Sequence, residues 1–195
     1  MIDIRKFLFK NRGYTPIPIA LAILYYSDFK NLFIYLGILL IIMGESIRLN
    51  SVRYAGGLTR TRKVGANKLC ASGPFAYVRN PLYLGNVIIY TGIVLFAGGK
   101  YMWEMLIITL GFFSLQYLLI IFLEEKTLLG LFGQEYERYI ESVPRFIPRI
   151  VPWKGGEKTH PMSWLLTLKT EKRTLQLIII FIVLLIFKTY ILNSN

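Results

Sequence analysis

A chain of 195 residues with 54% hydrophobic and only 17% charged side chains, and a mean hydropathy of +0.49, is not a water-soluble globule, in which about a quarter of the residues are charged. Its formal net charge of +12 argues against nucleic-acid binding, because the basic residues fall between apolar runs rather than in one patch, as they do where a membrane protein fixes its orientation. One cysteine, Cys70, and one histidine, His160, exclude an intrachain disulfide and the cysteine or histidine clusters that hold metals.

Five apolar segments follow in chain order, each predicted to be a membrane helix of about 20 residues. The first, Gly13 to Ser27, is short and has Pro16 and Pro18 near its start, where a helix tolerates proline best. Its basic flank and apolar run resemble a signal peptide, but no small-residue cleavage pattern follows Tyr26. The second runs from Asn31 to about Leu49, the third from Asn80 to Gly99, the fourth from Met105 to Leu123 and the fifth from Thr174 to about Leu192. Short links at Asp28 to Lys30 and around Lys100 predict two helical hairpins, one from spans one and two, the other from spans three and four. The expected fold is therefore all-α and polytopic, one membrane unit over 1–195, with a first span in 1–30 and a linker over 151–173 before a last span in 174–195.

Charge placement predicts orientation. The N-terminal end, the 48–79 stretch and the 124–173 stretch together hold 20 Lys and Arg; the other side keeps Lys30, Lys100 and Lys188. That asymmetry predicts an integral membrane protein with the N-terminus and both long stretches in the cytoplasm and the C-terminus opposite. The entrance of span three and the exit of span four then converge on the cytoplasmic side.

That convergence is where the chemistry-bearing residues lie. In Arg79-Asn80-Pro81-Leu82-Tyr83, Pro81 suits the first helical turn and Asn80 suits an N-cap. Glu124 and Glu125, expected at the end of span four, place negative charge where a helix C-terminus disfavours it and beside a bilayer that makes isolated charge costly. Pairing with Arg79 or Lys126 is the structural alternative to a functional role. Phe132, Tyr136, Tyr139 or Ile140, and Val143 recur at helical steps among charged residues, which predicts an amphipathic helix at the membrane surface. Pro144, Pro148 and Pro152 then predict an extended stretch, a lid or a linker. Glu45 and Arg48 are three apart, as an ion pair on one helix face or as support for the same mouth. No strand-to-helix glycine fingerprint, Walker A motif or nucleophile elbow is present.

G-P-F-A-Y-V-R-N-P-L-Y-L-G, E-E-K-T-L-L-G-L-F-G-Q-E-Y-E-R-Y and V-P-R-F-I-P together resemble the isoprenylcysteine carboxyl methyltransferase and phospholipid methyltransferase superfamily, over roughly residues 31–150. The resemblance implies a membrane methyltransferase that uses S-adenosylmethionine at the cytoplasmic face and accepts a lipid or lipidated substrate from the bilayer. Carried over by position, Arg79 and Glu125 would serve the transfer. Asn80, Tyr83, Glu124 and Glu125 would contact the cofactor, and Lys68, Leu69, Cys70 and Ala71 would border its adenine. Phe132, Tyr136 and Phe146 would be apolar walls, and Arg145 a polar closure. The family's frequent histidine is Asn80 here, which cannot act as a proton acceptor near neutral pH, so positioning is the role left to it. Glu124 or Glu125 would be the base for an amine acceptor. Two other readings are a nicotinamide-dependent enzyme like the sterol reductases and a non-catalytic membrane scaffold; a transporter is disfavoured because no span is charged near its midpoint.

Overall fold

The computed structural model describes residues 3–28, 32–56 and 64–193; Phe29 and Lys30 of the expected first link, and Asn31, the expected start of the second span, lie outside them. Among the described residues the fold is all-helical: α1 (Ile4–Asn11), α2 (Ile17–Tyr26), α3 (Ile34–Ala55), a 3-10 turn (Gly73–Ala76), α4 (Pro81–Ala97), α5 (Met102–Phe132), α6 (Gln134–Ser142) and α7 (Trp164–Asn193). α3, α5 and α7 are long and apolar enough to cross a membrane. The chain is thus a polytopic membrane protein, and each of the five expected apolar segments contains a helix.

The first segment is shorter than a span. α2 has 10 residues, about 15 Å at 1.5 Å per residue, because Pro16 and Pro18 bar the helix from extending backwards. α1 lies before the break and packs Phe9 among Phe113, Tyr117 and Ile120 of α5. The break is closed by turns, with the Tyr14 amide donating to the Asn11 carbonyl at 2.8 Å and Ile17 to Tyr14 at 3.0 Å. At the other end α2 is capped by a different helix. The ammonium of Lys188 on α7 donates to the carbonyls of Leu24 (2.8 Å), Tyr25 (2.6 Å) and Ser27 (3.0 Å), the orphan acceptors of a helix C-terminus.

The tightest helix pair is α3 with α4, which the short-link reading did not pair. Gly37 and Gly44 on α3 face Gly92 and Gly85 on α4. A Cβ on Gly44 would stand 2.7 Å from the Gly85 carbonyl oxygen, and one on Gly92 2.7 Å from that of Gly37. Without side chains at these points the two backbones close to van der Waals contact, the means by which helices associate where lipid removes the hydrophobic drive.

α5 runs past the expected exit at Leu123 to Phe132. Glu124 and Glu125 therefore sit inside a helix and not at its C-terminus, so the macrodipole does not oppose them. Glu, Lys and Leu are good helix formers, and nothing in E-E-K-T-L-L breaks the helix. The break comes at Gly133, whose φ of 48° only glycine adopts freely. α6 is amphipathic as expected, but it turns Tyr136, Tyr139 and the following Val143 onto Leu69 and Ala71, so its apolar face is covered by the chain itself.

α7 begins ten residues before the expected fifth span, so 164–173 is helix and not linker. Its start is held to α3: Met162 donates its amide to the Arg53 carbonyl at 2.8 Å, and the Arg53 guanidinium stacks 4.0 Å over the Trp164 ring.

Candidate active site

Pro81 at the first position starts α4 directly after Asn80, and the short α4–α5 connection returns the chain so that the start of α4 lies beside the last third of α5. Arg79 and Glu125 meet there, Nη1 to Oε1 at 2.9 Å. Arg145, from the proline-rich stretch, donates from Nη2 to the other carboxylate oxygen at 2.6 Å and from Nε to Oε1 at 3.1 Å. One carboxylate thus bridges two guanidiniums in a part-buried cluster of net charge +1, through charge-assisted hydrogen bonds that are shorter and stronger than neutral ones. The bond to Glu125 also holds the Arg145 guanidinium charged, raising its affinity for its proton. The Nε of Arg79 remains buried without a hydrogen-bond partner.

Asn80 does not cap α4 through its side chain. Its amide instead donates to the Arg145 carbonyl at 3.3 Å. The proline-rich stretch is fixed along the entrance to α4 by backbone bonds from Arg79 to Pro144, Arg149 to Tyr77 and Trp153 to Ala76, each 2.9 Å. It is bonded in place beside the entrance to α4 without lining the cavity, irregular and non-helical as its prolines require.

Tyr83, one turn into α4, donates its hydroxyl to Glu124 at 2.9 Å and stacks on Tyr117 with ring centroids 4.6 Å apart. A cavity of about 660 Å³ opens in front of these groups, within the range of small-molecule sites. Of the residues singled out from the sequence, Lys68, Leu69, Cys70, Arg79, Asn80, Tyr83, Glu124, Glu125 and Tyr136 line it. Ala71 lies behind Tyr136 in the small core that α6 covers, and Phe132 packs at that core's edge. Arg145 reaches the site through Glu125 without lining the cavity. Phe146 is 42% exposed and stands outside it.

Burial pushes the Cys70 thiol up to about 11. The same cause raises the hydroxyls of Tyr136 and Tyr139 well above the usual tyrosine range, so both remain protonated; Tyr139 uses its proton on the Phe75 carbonyl at 2.8 Å.

Several lining residues escaped the sequence reading. Arg12 and Tyr14 come from the α1–α2 break, Asn86 and Tyr117 from the middle of α4 and α5, and Glu171 from α7. Arg48 also lines the cavity, where it pairs with Glu45 (3.4 Å) and, across helices, with Glu171 and Asn86. The ion pair on α3 was expected; its extension to α7 was not, since Glu171 reads as one charge among many in K-T-E-K-R. Asn86 did leave a signal, a polar residue three positions after Tyr83 on an otherwise apolar helix.

The cavity is polar at the Arg79–Glu125 end and apolar at the other, where Ile23, Ile89, Ile93, Ile178 and Phe181 line it. Among the described residues no cluster of His, Cys, Asp and Glu could hold a metal. The family model described as phospholipid methyltransferase matches residues 32–135, more than half the chain. No curated protein and no solved structure matches.

Proposed function

The chain belongs to the phospholipid methyltransferase family and is a membrane methyltransferase acting on lipids; from that premise we propose that it uses S-adenosylmethionine, at the cytoplasmic face, to methylate a lipid or lipidated acceptor drawn from the bilayer. The observation that carries this reading is one cavity with a charged end and an apolar end, contributed to by both sides of the α4–α5 hairpin.

The charged end fits the proposed donor. An amino-acid group bears an ammonium and a carboxylate, and this end offers Glu124 and Glu125 to the first and Arg79 to the second, with the unpartnered Arg79 Nε as a free donor. Lys68, Leu69 and Cys70 form a rim for a flat heterocycle. S-adenosylmethionine supplies a methyl group on a sulfonium, which reacts by in-line displacement. What the protein must add is alignment and exclusion of water, and alignment alone can supply several kcal/mol. Asn80, bonded to the Arg145 carbonyl, and Arg145, bonded to Glu125, hold the charged end rigid. Tyr83 fixes the Glu124 carboxylate by one oxygen. With an amine acceptor Glu124 takes up the proton that must leave before attack; a carboxylate acceptor arrives ionised and needs no base. The apolar end holds the acceptor's hydrocarbon.

Protein reconstituted in nanodiscs and titrated calorimetrically with S-adenosylmethionine and, in parallel, NADPH tests the donor. Binding of the first alone is expected, and cells fed methyl-labelled methionine should incorporate label into lipid extracts only when they contain the protein. Stabilisation by NADPH without binding of S-adenosylmethionine would overturn the reading in favour of a reductase.

A further inference from the structure

Among the described residues the cavity meets the outside in two places. A lining residue that is also exposed marks such an edge. One edge lies at the charged end around Lys68. The second is formed by Tyr14 (51% exposed) and Ile17 (48%) at the α1–α2 break, and by Arg173 and Leu177 (58%) on α7.

This second edge sits at the boundary between polar and apolar layers. α7 carries Lys169, Lys172 and Arg173, and then no charged residue until Lys188. Arg173 therefore marks headgroup level, and Leu177 lies one turn into the hydrocarbon. The broken backbone at Arg12 to Pro16 agrees with this placement, since non-helical backbone at membrane depth is tolerated where it lines a cavity.

The α7 side of this edge is anchored at both ends. Glu171, half a turn from Arg173, is 2% exposed and bound to Arg48 of α3, while Lys188 ties the far end of α7 to the last carbonyls of α2. Between these two anchorages Thr174, Ile178 and Phe181 face the cavity. α7 is thus a post fastened at Glu171 and at Lys188, on either side of the stretch that lines the cavity.

We propose that this gap between the start of α2 and the Arg173–Phe181 stretch of α7 is a preformed side entrance for a phosphate-bearing lipid, whose chain passes between Ile17 and Leu177 while its phosphate rests at Arg173. Charge favours that occupant: Arg173 and Lys10 line the cavity on this side, with the apolar Ile178 and Phe181 further along α7. The entrance is built from α1, α2 and α7, none of which lies within the matched residues 32–135. The proposal rests on the reading of the cavity as the methyl-transfer chamber.

Its test uses the full chain in detergent micelles, loaded with dioleoylphosphatidylglycerol or dioleoylglycerol and read by native mass spectrometry, with calorimetry of S-adenosylmethionine on the same samples. The paired substitution Ile17→Trp with Leu177→Trp should cut retained phosphatidylglycerol about tenfold, and Ile179→Trp, on the outward face of α7, should not. Arg173→Gln should lower retention of phosphatidylglycerol and leave dioleoylglycerol unaffected, and millimolar inorganic phosphate should displace neither. Equal loss with Ile179→Trp, full retention with the paired tryptophans, or displacement by free phosphate would each overturn the entrance. Lipid retention does not require the methyl donor, so failure to bind S-adenosylmethionine would remove the proposed function while the lipid result still decides the entrance.

Discussion

Arg79 and Glu125 stand 2.9 Å apart, the one two residues before α4 and the other in the last third of α5, and Arg145 completes the pair from a third segment. Their meeting turns three stretches of sequence into one site, and removing its shared carboxylate leaves two guanidiniums facing each other.

Glu125→Gln should therefore lower stability by about 3 kcal/mol, the scale of breaking a largely buried pair, seen as a fall in Tm. It should also weaken S-adenosylmethionine about tenfold or more. A double-mutant cycle with Arg79→Gln should show strong coupling in stability. If Tm falls while donor affinity is unchanged, the cluster is a structural clasp only.

The α3–α4 contact yields a sharper contrast between two glycines. Gly44→Val drives a branched side chain into the Gly85 backbone, 2.7 Å from where a Cβ would stand, whereas a Cβ at Gly111 on α5 meets nothing within 4 Å. Gly44→Val should abolish folded protein in size-exclusion profiles. Gly111→Ala should be neutral or raise stability by up to about 1 kcal/mol from helix propensity.

Cys70 reports on the cavity through its thiol. Because burial lifts it to about 11, only a small thiolate fraction exists at neutral pH and maleimide labelling should be slow. The rate should climb as pH rises towards 11, since thiolate is the reactive form. S-adenosylmethionine should suppress labelling at every pH, as Cys70 lines the proposed donor rim. Rapid labelling at pH 7 that the donor does not slow would contradict both the burial and the placement.

Lys188→Met keeps the length and apolar stem of the side chain but strips three donors from the end of α2. Stability should fall by about 1–2 kcal/mol, the range for a cation at a partly buried helix C-terminus. Hydrogen exchange should rise at the end of α2, with the start of α7 near Trp164 unaffected. Equal protection in variant and wild type would show that the bonds to Leu24, Tyr25 and Ser27 contribute little.

The helices and the meeting of Arg79 with Glu125 were legible because each depends on a short-range rule. Apolar runs mark helices, Pro81 marks a start, and a tight α4–α5 connection forces two helix ends together. What was hidden depends on features that local pattern does not carry. Nothing in E-E-K-T forbids helix, so α5 continued two turns beyond the point at which its apolar run ends. The glycines at 37, 44, 85 and 92 look ordinary singly, and their pairing arises only when α3 and α4 lie antiparallel at close range. Asn80 has the composition of a cap, yet the carbonyl of Arg145 competes for its side chain and wins. Glu171 sits among solvated lysines in sequence, and its burial follows from which face α7 presents to Arg48.

α2 and α7 flank the matched segment on both sides and still share the greasy half of the chamber with Ile89 and Ile93 of α4. A chimaera that exchanges these outer helices for those of another member would keep Arg79, Tyr83, Glu124 and Glu125 untouched while recutting the space in which the acceptor's tail must fit. If the cavity is the proposed transfer chamber, such a chimaera would alter which acceptor tail fits while leaving the charged cluster intact.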